Sequence, residues 1–248
     1  MLDSEYKLVS DVQAEHWWWL GREKLLRSKM KKHLQRSRGF LFADVGCGFG
    51  ANIPLLRAFG DVVGLELNAG ARQKVKQQWG SAVPTISWKS PNKVKRLFNA
   101  ALLADVLEHI PDDADAVEWL HQHIKPDGLV FITVPAHQFL WTQMDDVLFH
   151  HRRYTKESLV ALFDKKFEVL ECHYYNLFLF PVKLLFVLFD RLSTRFFPSK
   201  EKQSYNNIPP LGLNWIFKFI LKAEVEIFEK VHQPFGISLV LVAKRISP

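Results

Sequence analysis

The sequence predicts an α/β fold, a mostly parallel sheet with helices on both faces. Three observations carry that prediction. An apolar run from Phe40 ends in Asp44 and Val45, and glycines follow at 46, 48 and 50. A second apolar run, residues 62–65, ends in Glu66 and Leu67, with the acid twenty residues after Gly46. A third, residues 100–104, runs into Asp105, Val106, Leu107, Glu108 and His109. Strand, glycine loop and helix in that order offer backbone N–H groups and a helix N-terminus to a nucleotide-like ligand.

Each element has its own signal. A helix reaches to about Leu34 after the aromatic run His16, Trp17, Trp18, Trp19. Consecutive tryptophans cannot share one helix face, so some pack elsewhere or touch ligand. Residues 40–45 have strand length and composition. Residues 51–59 read as a short helix, with Pro54 in its first turn and Gly60 at its end. Residues 86–92 read as the region that follows the third strand, and Lys125, Pro126, Asp127 and Gly128 make a turn into a strand over 129–134. Residues 155–163 read as a helix with Thr155 as N-cap and Ser158 at N3. Residues 167–174 and 235–244 read as the last two strands.

The glycine spacing is G-x-G-x-G, not the G-x-G-x-x-G of dinucleotide-binding loops. With the acid two residues upstream, it resembles motif I of class I S-adenosylmethionine-dependent methyltransferases. Asp105-Val106-Leu107-Glu108-His109 resembles the fourth motif of that superfamily, and Ile124-Lys125-Pro126-Asp127-Gly128 resembles its turn into the fifth strand. The resemblance covers roughly residues 40–175. It implies a Rossmann-like sheet of seven strands, mostly parallel with the last antiparallel, and S-adenosyl-L-methionine (SAM) as cofactor. Its cofactor site would use Asp44, Gly46, Cys47, Gly48, Gly50, Glu66, Leu67, Asp105 and Val106. Glu66 would hold the ribose hydroxyls, a task suited to a carboxylate that accepts two hydrogen bonds. The acid that relatives place after the third strand is missing; Ser90 stands as the substitute for adenine, with Trp88 beside it.

The acceptor side rests on a second resemblance, to a bacterial branch with H-W-W, V-P-A-H and H-x-R-R-Y-T elements. Here these contain His16, Trp18 and Arg22, then His137, then His150, Arg152, Arg153 and Tyr154. His137, His150 and His109 are the candidate bases for an acceptor hydroxyl. Trp18 and Arg22 are lid and acceptor candidates, with His16 beside them. Arg152 and Arg153 would grip an anionic group, or would pair with Asp145 and Asp146 to pin the loop. The branch points to O-methylation of a small-molecule, saccharide or lipid-linked acceptor.

About sixty residues separate the last two strands, too many for a plain connection. This gives the expected organisation: 1–38 an N-terminal helical lid segment, 39–175 and 233–248 the SAM-binding core, and 176–232 a hydrophobic helical insert. The insert is too short and too interrupted, by Pro181 and Lys183, to span a bilayer. It can cap the site, lie in a membrane interface, or form a homodimer contact.

Composition adds limits. The net charge of +7 fits an anionic membrane surface or nucleic acid, but no RNA-binding signature accompanies it. Two cysteines, Cys47 and Cys172, make no disulfide framework and fit a reducing, cytoplasmic setting, with peripheral association at the inner membrane face open. No zinc-type cysteine spacing occurs and no metal is expected. A NAD-dependent oxidoreductase and a non-catalytic, membrane-associated SAM-binding relative remain as rivals. The narrow last glycine gap argues against the first, and the retained Asp44, Gly46, Gly48 and Glu66 argue against the second.

Overall fold

The computed structural model describes residues 12–34, 39–88, 94, 96–196, 207–210, 212–228 and 233–247. Ser90 lies outside the described residues. Strands β1 (Phe40–Val45), β2 (Gly60–Glu66), β3 (Thr85–Ser87), β4 (Phe98–Ala104), β5 (Ile124–Pro135), β6 (Phe167–Tyr175) and β7 (Ser238–Arg245) form one sheet. Their order is β3-β2-β1-β4-β5-β7-β6. β1 to β5 run parallel, and β7 lies antiparallel between β5 and β6. This is the seven-stranded, mostly parallel, Rossmann-like sheet that the sequence predicts.

The helices are α1 (Trp17–His33), α2 (Ile53–Arg57), α3 (Ala69–Trp79), α4 (Asp113–His123), α5 (Gln143–Val147), α6 (Lys156–Phe163), α7 (Phe180–Phe196) and α8 (Leu213–Ile227). The central strands are apolar on both faces because helices cover both. Phe42, Ala100, Leu102 and Phe131 face Leu26, Met30, Ile53, Leu56 and Val75 of α1, α2 and α3. Their chain neighbours Ala43, Ala101, Leu103 and Val130 face Val117, Leu120, Leu159 and Phe163 of α4 and α6. Thr155 and Ser158 close a reciprocal capping box at the start of α6.

Strand order reverses between β1 and β4. In open parallel sheets the crevice at such a switch point, beyond the carboxyl ends of the strands, is where ligands bind. Two further elements close over that crevice. α1 crosses α8 at Gly21, where a Cβ would lie 2.3 Å from Leu221 Cδ2, so only glycine allows the approach. Asn214 of α8 accepts from the Trp17 N–H at 2.8 Å. The far end of α1 is tied to β6 by the buried Glu171, which takes Lys29 and His33 at 2.8 Å each, and Lys32. Burial works against the Glu171 carboxylate, but hydrogen bonds from His173, Lys29, Lys32 and His33 hold its pKa well below the ordinary range.

The α7–α8 segment is also anchored. Buried Glu224 accepts from the main-chain N–H groups of Leu177 (3.0 Å) and Phe178 (2.7 Å). Asp190 of α7 accepts from the main chain and side chain of Gln143, both at 3.1 Å. Among the described residues, no helix is long and apolar enough to cross a membrane.

Candidate functional site

A cavity of about 870 Å³ opens at the switch point. One part of its wall is the glycine loop after β1. Gly46, Gly48 and Gly50 all have positive φ, at 66°, 51° and 89°. A Cβ on Gly46 would lie 2.8 Å from Val106 Cγ2, whereas one on Gly48 would meet nothing within 4 Å. Gly46 is therefore fixed by packing, and Gly48 leaves its backbone open to a ligand. Glu66, buried at the tip of β2, accepts from the Gly48 N–H and the Asn68 N–H, both at 2.8 Å and on different oxygens. Leu67, Trp88, Asp105 and Val106 line the same cavity. Asp105 has a left-handed φ of 57° and pairs with Arg22 of α1 and with Thr133 Oγ1 at 2.9 Å.

Another part of the wall carries Glu108, His109, His150 and Arg153. His150 Nδ1 meets Asp145 Oδ1 at 2.9 Å, and Arg153 grips both oxygens of Asp145 at 2.8 and 3.0 Å. Burial opposes ionisation of Asp145, yet His150 and Arg153 together hold its pKa well below the carboxylate range. The His109 and His150 rings meet edge to face at 4.6 Å. Burial, and then the neighbouring His150, push the His109 pKa down to about 3. Glu108 is fully buried, with neither oxygen partnered among the described residues beyond its own main chain. Burial and nearby Asp105 push its carboxyl well above the usual range. Aromatic side chains, among them Trp17, Trp19, Phe149, Phe186 and Phe217, line much of the rest of the wall.

The methyltransferase-domain family model matches residues 10–169. The chain belongs to the methyltransferase-domain family. No curated protein matches it. Its backbone resembles a Haloferax volcanii protein assigned as a methyltransferase and solved with the Trm112 methyltransferase activator. That pair is 12% identical, with a TM-score of 0.62 and coverage of 99% of this chain and 96% of that one. A Galdieria sulphuraria protein described as a sarcosine dimethylglycine methyltransferase is 14% identical, with a TM-score of 0.60 and coverage of 91% and 85%. The N-methyltransferase NodS of Bradyrhizobium japonicum, solved with S-adenosyl-L-homocysteine, is 11% identical, with a TM-score of 0.53 and coverage of 92% and 86%. At these identities the likeness speaks of the fold. Family and fold together make this chain a SAM-dependent methyltransferase with SAM as its cofactor.

In this methyltransferase the sequence-derived site residues do not all meet at the cavity. Gly46, Cys47, Gly48, Glu66, Leu67, Asp105, Val106, His109, His150, Arg153, Trp18 and Arg22 line it. Asp44 is not part of the wall; it is fully buried, and the Asn52 side chain offers it a hydrogen bond. Burial pushes its carboxyl up to about 7. Gly50 is not part of the wall either, and packs on Ile53 and Val75. Cys47 is buried and its thiol pKa is pushed up, chiefly by burial, so it packs rather than reacts.

Three acceptor-side candidates lie off the wall. His137 stacks on Tyr174 and Phe235, at ring separations of 4.9 and 4.3 Å. Arg152 pairs with Asp113 at 2.7 Å, and the Tyr154 hydroxyl donates to the same Asp113 at 2.8 Å. Arg152 therefore pins its loop through Asp113, while Asp145 takes Arg153. Arg22 is a buried partner of Asp105 and not a free cation. The sequence reading missed Glu108 as a site residue, though it stands beside a candidate base. It also missed Lys183, a half-buried cavity residue of α7 whose ammonium burial pushes down to about 8. In the sequence Lys183 only interrupts an apolar helix.

Proposed function

We propose that this methyltransferase transfers the SAM methyl group to an oxygen of a lipid-linked or otherwise apolar acceptor, a saccharide carrier among them. The supporting observation is the shape of the cavity: glycine loop, Asp–His pair and the α7–α8 segment share one wall. In this reading residues 1–38 act as a lid and 176–232 as a cap on a core formed by 39–175 and 233–248.

The residues fit the cofactor. Each Glu66 oxygen spends one lone pair on the main chain, which leaves acceptor capacity for two ribose hydroxyls. The Gly48 face is open for close backbone approach. SAM supplies a methyl carbon on a sulfonium, a leaving group that departs as a neutral thioether. The chain's part is alignment and proton transfer. Asp145 holds His150 through Nδ1, so Nε2 is left to take the acceptor's hydroxyl proton. Lys183 offers a cation to an anionic group of the acceptor, the role first sought in Arg152 and Arg153.

The outer faces of the cap support a membrane-side acceptor. On α7, Leu185, Leu188, Phe189, Leu192 and Phe196 form an exposed apolar row at helical spacing. On α8, Trp215 and Phe219 are 63% and 62% exposed and stack on each other. Such rows, with lysines at 218 and 222, suit an interfacial position on an anionic inner-leaflet surface.

Flotation with anionic vesicles tests this. The wild type should float with vesicles, and the double variant Leu185→Asp, Phe189→Asp should not. Methyl-labelled SAM should then label a vesicle-borne glycolipid acceptor in preference to free saccharides. No vesicle binding, with a dimer that the same double variant dissociates, would assign the apolar rows to a homodimer and remove the membrane reading.

A further inference from the structure

We propose that Glu108, His109 and His150 form a divalent-cation site in the cavity wall. One ligand atom from each residue lies within 4.8 Å of the others. Ligands bonded to one ion at about 2.0–2.2 Å stand about 3–4 Å apart, so a small side-chain adjustment closes the set. The three residues come from two segments, the turn after β4 and the loop after α5. The His151 N–H donates to the Glu108 carbonyl at 2.7 Å and fixes those segments against each other.

Glu108 is the observation that points to an ion. A carboxylate buried without hydrogen-bond partners is costly unless a positive charge compensates it. The neighbouring guanidinium groups are already committed, Arg22 to Asp105 and Arg153 to Asp145. His150 has the arrangement of a metal ligand: its Nδ1 faces Asp145, which orients the ring and leaves Nε2 available. Two imidazoles and one carboxylate suit a borderline ion such as Zn²⁺ best, with the harder Mn²⁺ as the comparison ion.

Three protein ligands leave a coordination position open, and all three line the cavity. The inference deepens the methyl-transfer reading and rests on it for its role. An acceptor hydroxyl at the open position would lose its proton more readily, so the ion takes over from His150 the task of activating it. The hydroxyl proton passes to solvent water, the C–O bond forms and the C–S bond breaks.

The test uses the full chain, stripped with a chelator and titrated calorimetrically with Zn²⁺ and separately with Mn²⁺. One equivalent of one of these ions should bind, and Glu108→Gln and His150→Ala should each weaken it at least about tenfold. Saturating ion should raise the melting temperature of the wild type but not of His150→Ala. If Glu108→Gln does not fold, His150→Ala carries the comparison. Absence of binding, or equal binding in folded variants, overturns the site. S-adenosylhomocysteine is titrated in parallel. Ion binding as described without S-adenosylhomocysteine binding would sink the methyl-transfer reading while leaving the cation site standing.

Discussion

Arg22 of α1 and Asp105 at the tip of β4 form a largely buried ion pair, and the same guanidinium reaches the Ala104 carbonyl at 3.3 Å. The pair joins α1 to the strand end at the cavity. Thr133 Oγ1 completes the shell around Asp105 and so supports its left-handed backbone.

Arg22→Ala leaves the Asp105 carboxylate half-satisfied and loosens α1 from the strand end. Loss of one partner of a buried pair costs about 3–5 kcal/mol, and the partial exposure of Asp105 reduces this to about 2–3 kcal/mol. Thermal denaturation should show a fall of several degrees, at about 2–4 °C per kcal/mol for a chain of this size. An unchanged melting temperature would mean that the pair holds nothing together.

Gly21→Val forces a side chain into Leu221 where α1 and α8 cross. Overpacking of this kind costs about 1–3 kcal/mol. The damage should be local, so limited proteolysis should cut near α1 and α8 faster while the sheet stays protected. Uniform loss of protection would show that the crossing belongs to the core and not to a cap.

If His150 takes the acceptor's proton as proposed, His150→Gln should lower kcat by about 10²–10⁴-fold with little effect on SAM affinity. A matching loss of SAM affinity would place His150 in the cofactor site.

The pH dependence of stability follows from His16, which caps α1 by accepting from the Trp18 N–H at 3.2 Å. Burial pushes its pKa down to about 4, against a hydrogen bond with the Asn207 backbone that raises it. The unfolded chain takes up this proton near pH 6.5. His16 therefore adds stability above that pH, and the contribution is lost as pH falls from about 6.5 towards 4. His16→Asn keeps a capping side chain but does not titrate. The stability of the wild type relative to His16→Asn should fall by about 1–3 kcal/mol across that window, measured by denaturant unfolding. A pH-independent difference would show that His16 is not neutral in the fold.

The core was legible because its signals are local. Glycines at 46, 48 and 50, an acid at 66 and the Asp105–His109 turn each carry meaning within a few residues. The acceptor side was harder because its pairings are distant. Nothing near Arg152 says that its partner is Asp113, about forty residues earlier, and nothing near His137 says that Tyr174 and Phe235 will sandwich it. Glu108 looks ordinary within its motif; only the fold shows that its carboxylate is buried with no partner among the described residues beyond its own main chain.

Glu66 is the residue on which the cofactor half turns. Calorimetric titration of the wild type and Glu66→Ala with SAM, S-adenosylhomocysteine and NAD is the most direct test. The wild type should bind the first two and not NAD, and Glu66→Ala should lose about 1–3 kcal/mol of affinity for both. Binding of NAD instead, or SAM affinity indifferent to Glu66 in a folded variant, would contradict the placement of the cofactor between the glycine loop and β2.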